Sequence, residues 1–256
     1  MCGVAGIIDF RGKSDSIPAV KEMLRSFSYR GPDESGIYHS PIATIGNVRL
    51  SIIDLATGQQ PLSDTSGRYW IVFNGEIFNY IELREDLDKK GVKLKTHSDT
   101  EVIVNLFALY GEKCLNLLNG QFAVVIWDIK EKKLFIARDR VGIRPLFYTV
   151  ANGVLYFASE IKALLGNKDV RRELNPENLA QIYTFWTSIT PYTPFRDISE
   201  LSPGHYMVYS RKGLSVHKFW ELSFNNSNPD VSLSDALEGF NELFTNAVRI
   251  RLRADV

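Results

Sequence analysis

Residues 1–10 have the sequence MCGVAGIIDF, in which a cysteine directly follows the initiator methionine and an apolar run comes next. Residues 4–10 are rich in apolar and β-branched side chains, a pattern typical of a buried strand. A small second residue such as Cys2 generally lets the methionine be removed, leaving a thiol and a free α-amino group on adjacent carbons. The sequence therefore predicts a buried strand with a candidate nucleophile just before it.

Cys2 could combine two catalytic roles in one residue. A thiol has a pKa near ~8.5 and an α-amino group near ~7.7–8.0, so the amine can accept the thiol proton close to neutral pH. A nucleophile beside its own base is the pairing that covalent catalysis uses. By position alone, Cys2 also fits a small buried hydrophobe at the start of an edge strand. The rest of the chain is needed to choose between these two interpretations.

The composition is that of an ordinary soluble globular protein. The 256 residues suffice for one large domain or two small ones, and 45% of them are hydrophobic. The 30 basic and 30 acidic residues leave no net charge, so nothing indicates nucleic acid or a membrane surface as a partner. No apolar stretch approaches the ~20 residues of a membrane span, and no secretory signal is recognisable. A cytoplasmic location is therefore expected.

Neither the cysteines nor the histidines suggest a metal centre. Cys2 and Cys114 are the two cysteines, which argues against a disulfide framework. No cysteine and histidine cluster has zinc-ligand spacing, so no metal site is predicted. The four histidines show no triad partner in the sequence and are interpreted as surface or structural residues.

Hydrophobic periodicity predicts antiparallel strand pairs with helices between them. Short turn signals at 130–132, 152–153 and 212–213 join strands into hairpins, which favours an α+β fold over a parallel dinucleotide-binding sheet. No glycine-rich dinucleotide motif or phosphate-binding loop is present. The predicted strands are 4–10, 42–50, 69–73, 122–129, 133–138, 146–150, 154–158, 206–209 and 214–220, and the predicted helices are 17–29, 80–90, 101–109 and 176–184.

Residues 225–230, with the sequence NNSNPD, form the clearest linker in the chain. A helix is predicted beyond it, capped by Ser232 or Ser234 and continuing to about residue 255. Its apolar face, which has little left in the chain to pack on, consists of Leu237, Phe240, Leu243, Phe244 and Val248.

Seven short motifs, in this order and spacing, resemble one known family. The chain is similar to the glutaminase domain of glutamine-dependent asparagine synthetases, a class II glutamine amidotransferase domain of the N-terminal nucleophile hydrolase superfamily. The resemblance covers residues 2–220. It rests on CGVAGII (2–8), RGPDESG (30–36), RLSIID (49–54), NGEIFN (74–79), SDTE (98–101), RDRVGIRPLF (138–147) and ASEIKAL (158–164).

The resemblance implies a fold, a domain organisation and a reaction. The fold would be a four-layer αββα sandwich of two antiparallel sheets. Residues 2–224 would form the glutaminase domain, and 225–256 a linker and the first helix of a C-terminal synthetase domain that this chain does not include. The reaction would be hydrolysis of L-glutamine to glutamate and ammonia through a thioester on Cys2.

The family also implies roles for particular residues. Cys2 would be the nucleophile, with the Asn74 side-chain amide and the Gly75 backbone N–H as the oxyanion hole. Glutamine itself would be held by Arg49, Ile52 and Glu76 together with Asp99 and the two oxyanion-hole residues. Arg49 offers a planar fork for the α-carboxylate, and Asp99 an acceptor for the α-ammonium.

Each of these residues also has a structural interpretation. Asn74-Gly75 is a common turn dipeptide. Arg49 could be a surface charge at a strand end, and Asp99 could cap a helix before Glu101.

Arg30 and Asp33 are expected to be structural or gating residues. Arg138-Asp139 with Arg144-Pro145 is expected to form an internal ion-pair and turn framework, which in the full enzyme could face the ammonia path. Two positions depart from the commonest family spelling, with Tyr29 before Arg-Gly-Pro-Asp and Phe78 after Asn-Gly-Glu-Ile, and neither removes a group with an implied catalytic role.

The ammonia acceptor is not evident from these residues. The nearest resemblance implies that ammonia serves ATP-dependent conversion of aspartate to asparagine, with ATP and Mg²⁺ needed only by the missing synthetase domain and no cofactor in this part. Alternatives are the same half-reaction for another acceptor, such as a surface polysaccharide or another carboxylate, and a non-enzymatic glutamine-binding module. A homodimer is possible.

Overall fold

The computed structural model describes residues 2–12, 15–224 and 231–256. The predicted linker at 225–230 and the Met1 position lie outside these ranges. All nine predicted strands are present in the described chain, together with three that the sequence did not predict. The strands are β1 (Gly3–Ile8), β2 (Glu34–His39), β3 (Ala43–Arg49), β4 (Leu62–Ser63), β5 (Tyr69–Ile77), β6 (Gly120–Asp128), β7 (Lys133–Arg138), β8 (Phe147–Ala151), β9 (Val154–Ala158), β10 (Ser199–Glu200), β11 (His205–Ser210) and β12 (Gly213–Lys218). The three strands that were not predicted are β2, β4 and β10.

The helices alternate with blocks of strands, as the periodicity predicts. In the described ranges they are α1 (Ile17–Ser26), α2 (Tyr80–Lys89), α3 (Asp99–Tyr110), α4 (Ile161–Leu165), α5 (Pro176–Phe185) and α6 (Leu233–Arg251). The predicted first helix is wrong at its end, because the chain tightens into a 3₁₀ turn at Ser28–Arg30.

The strands form two antiparallel sheets of six strands each. The first sheet has the order β10-β8-β9-β1-β3-β2, and the second has the order β12-β11-β7-β6-β5-β4. Apolar side chains from both sheets, among them Val4, Ile45, Val72 and Trp127, meet in a core between them. The sheets therefore stack face to face.

Helices cover the outer face of each sheet. Val20 and Leu24 of α1 pack in one cluster with Ala5 of the first sheet. Leu83 of α2 and Val102 of α3 pack on the second sheet in another cluster. The result is a four-layer αββα sandwich, and the predicted fold class is confirmed.

Alternation along the strands explains which side chains point between the sheets. On β1, Val4 and Ile8 belong to the inter-sheet core, whereas Ala5 and Ile7 face α1. Because side chains alternate with a period of two, Cys2 is in phase with Val4. On β5 the same alternation puts Asn74 in phase with Val72, which also faces the inter-sheet core.

Strand β5 is longer than predicted, and this changes the interpretation of Asn74-Gly75. The strand continues through both residues to Ile77, with Asn74 opposite Ala123 and Gly75 opposite Phe122 of β6. The dipeptide is therefore not a turn. A Cβ on residue 75 would lie 2.1 Å from the Gln121 carbonyl oxygen, so only glycine fits this close backbone approach.

The C-terminal helix α6 is capped by Ser232, whose hydroxyl accepts from the Asp235 N–H at 3.1 Å. It ends at Arg251, earlier than predicted, and its apolar face is exposed, with Leu243 72% accessible. The chain then returns to the sandwich, where Asp255 N–H donates to the Ile52 carbonyl and its carboxylate accepts from the Asp54 N–H. In the described part of the chain, no helix is both long and apolar enough to cross a membrane.

Candidate active site

One cleft at the end of the inter-sheet layer brings the predicted site residues together. It forms where the start of β1, the end of β3 and the second half of β5 meet the start of α3. All seven residues with an implied role line it, namely Cys2, Arg49, Ile52, Asn74, Gly75, Glu76 and Asp99. Residues that are up to 97 positions apart in the sequence therefore line a single cleft.

Cys2 is partly buried and lines this cleft. Its Sγ donates weakly to the Leu50 carbonyl oxygen at 3.6 Å. Burial raises the pKa of the Cys2 thiol above its ordinary value. At neutral pH the sulfur is therefore a thiol, and an attack by it needs a base nearby. No histidine is among the residues that line the described cleft.

The Asn74 side chain is fully buried, yet its amide has no partner among the described residues. Both Nδ2 and Oδ1 lack a hydrogen bond, and the residue is 0% exposed. An unmade hydrogen bond of this kind costs about 1–3 kcal/mol of folding free energy. The fold thus keeps an unused N–H donor on a residue that lines the same cleft as Cys2. Asn47 on β3 also has an unpartnered buried amide, but it does not line the cleft.

Arg49 is a buried cation and not a surface charge, since only 3% of it is exposed. Its Nη2 donates to two carbonyl oxygens, of Ile53 at 2.9 Å and Asp54 at 2.7 Å. Its Nη1 forms a 2.9 Å ion pair with Glu34. The two Nη2 hydrogens are occupied, so this conformation presents single N–H donors to the cleft and not the two-pronged fork that the sequence suggests.

Asp99 is a buried carboxylate with no cation bonded to it in the described chain. Burial raises its pKa to about 6, even though the Ile77 N–H donates to Oδ2 at 3.0 Å. The helix α3 is capped by Ser98, whose hydroxyl accepts from the Glu101 N–H, so the proposed capping role of Asp99 is wrong. A cation beside this carboxylate would relieve the cost of burying its charge.

Ile52 and Glu76 also line the cleft. The Ile52 carbonyl accepts from the Asp255 N–H at 3.0 Å, which ties this part of the lining to the C-terminal segment. Burial raises the pKa of Glu76, and its side chain is half-buried. Both residues are therefore within reach of a molecule bound in the cleft.

Arg144 lines the cleft, although no role in glutamine binding was assigned to it from the sequence. Its Nε is buried and has no hydrogen-bond partner among the described residues, and burial lowers the pKa of its guanidinium. The framework expected from the sequence is present around its backbone. Asp139 accepts from the Arg144 N–H at 3.0 Å, and Arg138 Nε donates to the Arg144 carbonyl at 2.8 Å. The residue was missed because the motif RDRVGIRPLF does not indicate which of its arginines faces inward.

The Gly-Pro loop before β2 also contacts the nucleophile. Arg30 Nε donates to the Cys2 carbonyl oxygen at 3.0 Å, and Asp33 Oδ2 accepts from the Ser51 N–H at 2.8 Å.

Other residues that line the cleft and that sequence reasoning missed are Leu50, Ile53, Gln60, Phe73 and Thr100. Within the described ranges, no group of three or more histidine, cysteine or acidic residues could hold a metal ion.

The geometry agrees with comparisons to known proteins. A family model described as "Glutamine amidotransferase domain" matches residues 1–220. This chain belongs to that family. Asparagine synthetase [glutamine-hydrolyzing] 3 of Bacillus subtilis is 35% identical over 100% of this chain, and Amidase chry2 of Gibberella zeae is 34% identical over 100% of it.

The chain spans about two fifths of these relatives, covering 42% and 40% of their lengths. A solved structure of glutamine phosphoribosylpyrophosphate amidotransferase from B. subtilis matches 91% of this chain and 55% of its own, with a TM-score of 0.61 and 22% identity. At that identity the likeness shows the fold alone. The family model and the relatives at 34–35% identity confirm the class II glutamine amidotransferase domain that the motifs imply.

Proposed function

We propose that this chain hydrolyses glutamine at Cys2 and is the ammonia-producing part of a larger asparagine synthetase. One observation carries the proposal. A partly buried cysteine thiol shares a cleft with an asparagine amide that is fully buried and has no partner among the described residues. A nucleophile beside an unused N–H donor is the arrangement that acyl transfer needs.

In the proposed first step, Cys2 Sγ attacks the side-chain amide carbon of glutamine. The new S–C bond turns the carbonyl oxygen into an oxyanion, which would accept from Asn74 Nδ2 and the Gly75 N–H. The free α-amino group of Cys2 takes the thiol proton and returns it to the leaving nitrogen. The C–N bond breaks, ammonia leaves, and a glutamyl thioester remains.

In the proposed second step, water hydrolyses that thioester. The α-amino group accepts a proton from the attacking water, a second oxyanion forms in the same hole, and collapse of this intermediate returns the proton to sulfur and releases glutamate. The raised thiol pKa makes the amine necessary, because a neutral thiol attacks poorly without a base.

The far end of glutamine is proposed to lie between two buried charges. Asp99 would accept from the α-ammonium, and the free N–H groups of Arg49 would donate to the α-carboxylate. The Ile52 and Glu76 backbones would complete the enclosure. Both charges are held before the substrate arrives, Arg49 by carbonyl oxygens and Asp99 by the Ile77 N–H, which limits the entropy cost of binding.

The α-amino base exists only when the bond between Met1 and Cys2 has been cut. If Met1 stays attached, the nitrogen is an amide and cannot accept a proton. We therefore expect the Met1-containing form to be inactive, and the trimmed form to be active.

The larger protein is proposed from the relatives. Residues 2–224 would be the glutaminase domain, and 225–256 would lead into a synthetase domain that activates aspartate with ATP and Mg²⁺. The exposed apolar face of α6 supports an additional domain in cis. One finding supports an ammonia acceptor other than aspartate. A fungal relative that is 34% identical to this chain is named an amidase. The determinants of the acceptor would lie in that synthetase domain.

The test combines a glutaminase assay with mass spectrometry of the N-terminus. We expect glutamate release by the form that begins at Cys2, and none from Cys2→Ala or from a form that retains Met1. The Cys114→Ala variant is the matched control and keeps the parent rate. Glutamate release by Cys2→Ala at the parent rate would rule out the mechanism.

A further inference from the structure

We propose that Glu160 is a positioning residue that holds the Cys2 backbone in its reactive orientation through Arg30. The motif ASEIKAL, which contains it, belongs to the seven that carry the family resemblance, yet none of the roles above involves it. This inference rests on the proposed glutaminase function and adds a positioning residue to it. Glu160 does not line the cleft itself.

The argument starts with the residue before Glu160, which clamps the nucleophilic strand. Ser159 is fully buried where β9 ends beside β1. Its N–H donates to the Val4 carbonyl at 2.9 Å, and its hydroxyl accepts from the Val4 N–H at 2.9 Å. The end of β9 is therefore fixed to the strand two residues after Cys2, and Glu160 comes next in the chain.

From that position Glu160 anchors the arginine that contacts Cys2. Arg30 Nη1 donates to Glu160 Oε1 at 3.2 Å, and Arg30 Nε donates to the Cys2 carbonyl oxygen at 3.0 Å. One guanidinium thus joins the carboxylate to the nucleophile's backbone. The side chains of both Arg30 and Glu160 are largely buried, at 9% and 18% exposure, so water screens this ion pair weakly.

Two further groups keep Glu160 charged and in place. The Tyr29 hydroxyl donates to Oε1, and Lys162 Nζ pairs with Oε2 at 3.1 Å. Burial alone would raise the pKa of Glu160, but hydrogen bonds from Tyr29, Lys162 and Arg30 together lower it. The carboxylate is therefore ionised across the neutral range, and Arg30 always has its counter-charge.

The orientation of the Cys2 carbonyl matters because the Cys2–Gly3 peptide plane sets the position of the Cys2 Cα atom, from which both the amine and the thiol extend. A tilt of that plane would displace both groups relative to the cleft. With Met1 removed, no preceding residue holds Cys2 from the other side. The Arg30 hydrogen bond to the carbonyl oxygen restrains the plane, and Glu160 fixes the direction of Arg30. Glu160 also offsets the repulsion between Arg30 and the nearby Arg144 cation.

The decisive variant is Glu160→Gln, which keeps the shape and removes the charge. We expect kcat for glutamate release to fall by about 10-fold to 100-fold, because small displacements of reacting groups cost rates of that order. KM for glutamine should stay within about twofold, since Glu160 touches no part of the cleft. The rate is referred to active sites, counted by the fraction of Cys2 that a glutamine-mimicking diazoketone labels.

Glu173→Gln is the matched control. Glu173 also pairs with two arginines, Arg171 at 3.0 Å and Arg196 at 2.7 Å, but does so away from the cleft. It should keep the parent kcat, and both variants should melt close to the parent. If Glu160→Gln does not fold, Glu160→Asp replaces it and should show a smaller loss of kcat in the same direction.

A double-mutant cycle tests the route through Arg30. Arg30→Met should lower kcat, and adding Glu160→Gln to it should lower kcat no further, because the two act as a unit. Losses that multiply would overturn the proposal, and so would a parent-like kcat in Glu160→Gln. If the trimmed parent chain does not hydrolyse glutamine at all, the proposed function fails first, and this inference fails with it.

Discussion

Cys2 and Cys114 are the same residue type in two contrasting environments. Cys2 lies at a cleft beside an unpartnered amide and two buried charges, whereas Cys114 is 1% exposed in the core beneath α3. Burial raises the pKa of both thiols, and that of Cys114 to about 12. The comparison teaches that the surroundings, and not the thiol itself, separate a candidate nucleophile from a packing residue.

The largest expected difference between Cys2 and Cys114 is in their reactivity toward iodoacetamide. At pH 8 on the order of 10⁻⁴ of the Cys114 thiol is ionised, and the residue is only 1% exposed to solvent. We expect native protein to incorporate one label, on Cys2, as located by peptide mass spectrometry. The same reaction in guanidinium chloride should label both cysteines. Equal native labelling rates for the two thiols would remove the contrast.

The next largest effect concerns the amide beside Cys2. Asn74→Ala should lower kcat by about 10²–10³-fold with little change in KM, because it removes a donor that acts on the oxyanion. Asn47→Ala is the matched control, since Asn47 is also buried on a strand with an unpartnered amide but lies outside the cleft. A similar kcat loss in both variants, measured by glutamate release, would show that the Asn74 role is misassigned.

The sequence predicted the sandwich because its signals are local. Alternating strands and short hairpin turns, such as Asn152-Gly153, give antiparallel pairs directly. Strand β2 was missed because only two of its residues, Ile37 and Tyr38, are large and apolar. Its pairing with β3 is a tertiary contact, and no pattern within the segment itself records that.

The site was predicted in its residue identities but not in its hydrogen bonding. The resemblance placed Arg49 in the cleft, yet the capture of its Nη2 by the Ile53 and Asp54 carbonyls depends on how the loop after β3 folds. The inward position of Arg144 likewise follows from contacts that Arg138 and Asp139 make with its backbone. Such contacts join segments whose relative placement is set by the whole fold.

A smaller, pH-dependent effect is expected at Asp99, which lines the same cleft as Cys2. No such effect is expected at Cys114, which has no role in substrate binding. Ionised Asp99 is the form that accepts from an ammonium, and its pKa is raised to about 6. Glutamine binding should therefore be strongest well above pH 6 and weaken as the pH falls through 6. The dissociation constant of glutamine, measured on Cys2→Ala so that no turnover occurs, should rise about tenfold per pH unit below 6. Adding Asp99→Asn to Cys2→Ala should weaken binding and abolish this pH dependence. A dissociation constant for Cys2→Ala that is unchanged from pH 7 to 5 would contradict the assignment.

The smallest effect is the one expected at Cys114. Cys114→Ala removes a buried sulfur from a packed core and should lower the free energy of unfolding by about 1 kcal/mol, measured by urea denaturation. Its kcat should equal that of the parent. Cys2→Ala should behave in the opposite way, with no glutamate release and an unfolding free energy within about 0.5 kcal/mol of the parent, because Cys2 is only partly buried. A Cys2→Ala variant that loses as much stability as Cys114→Ala would mean that Cys2 is a packing residue as well, and the environment of the two thiols would then no longer explain their difference.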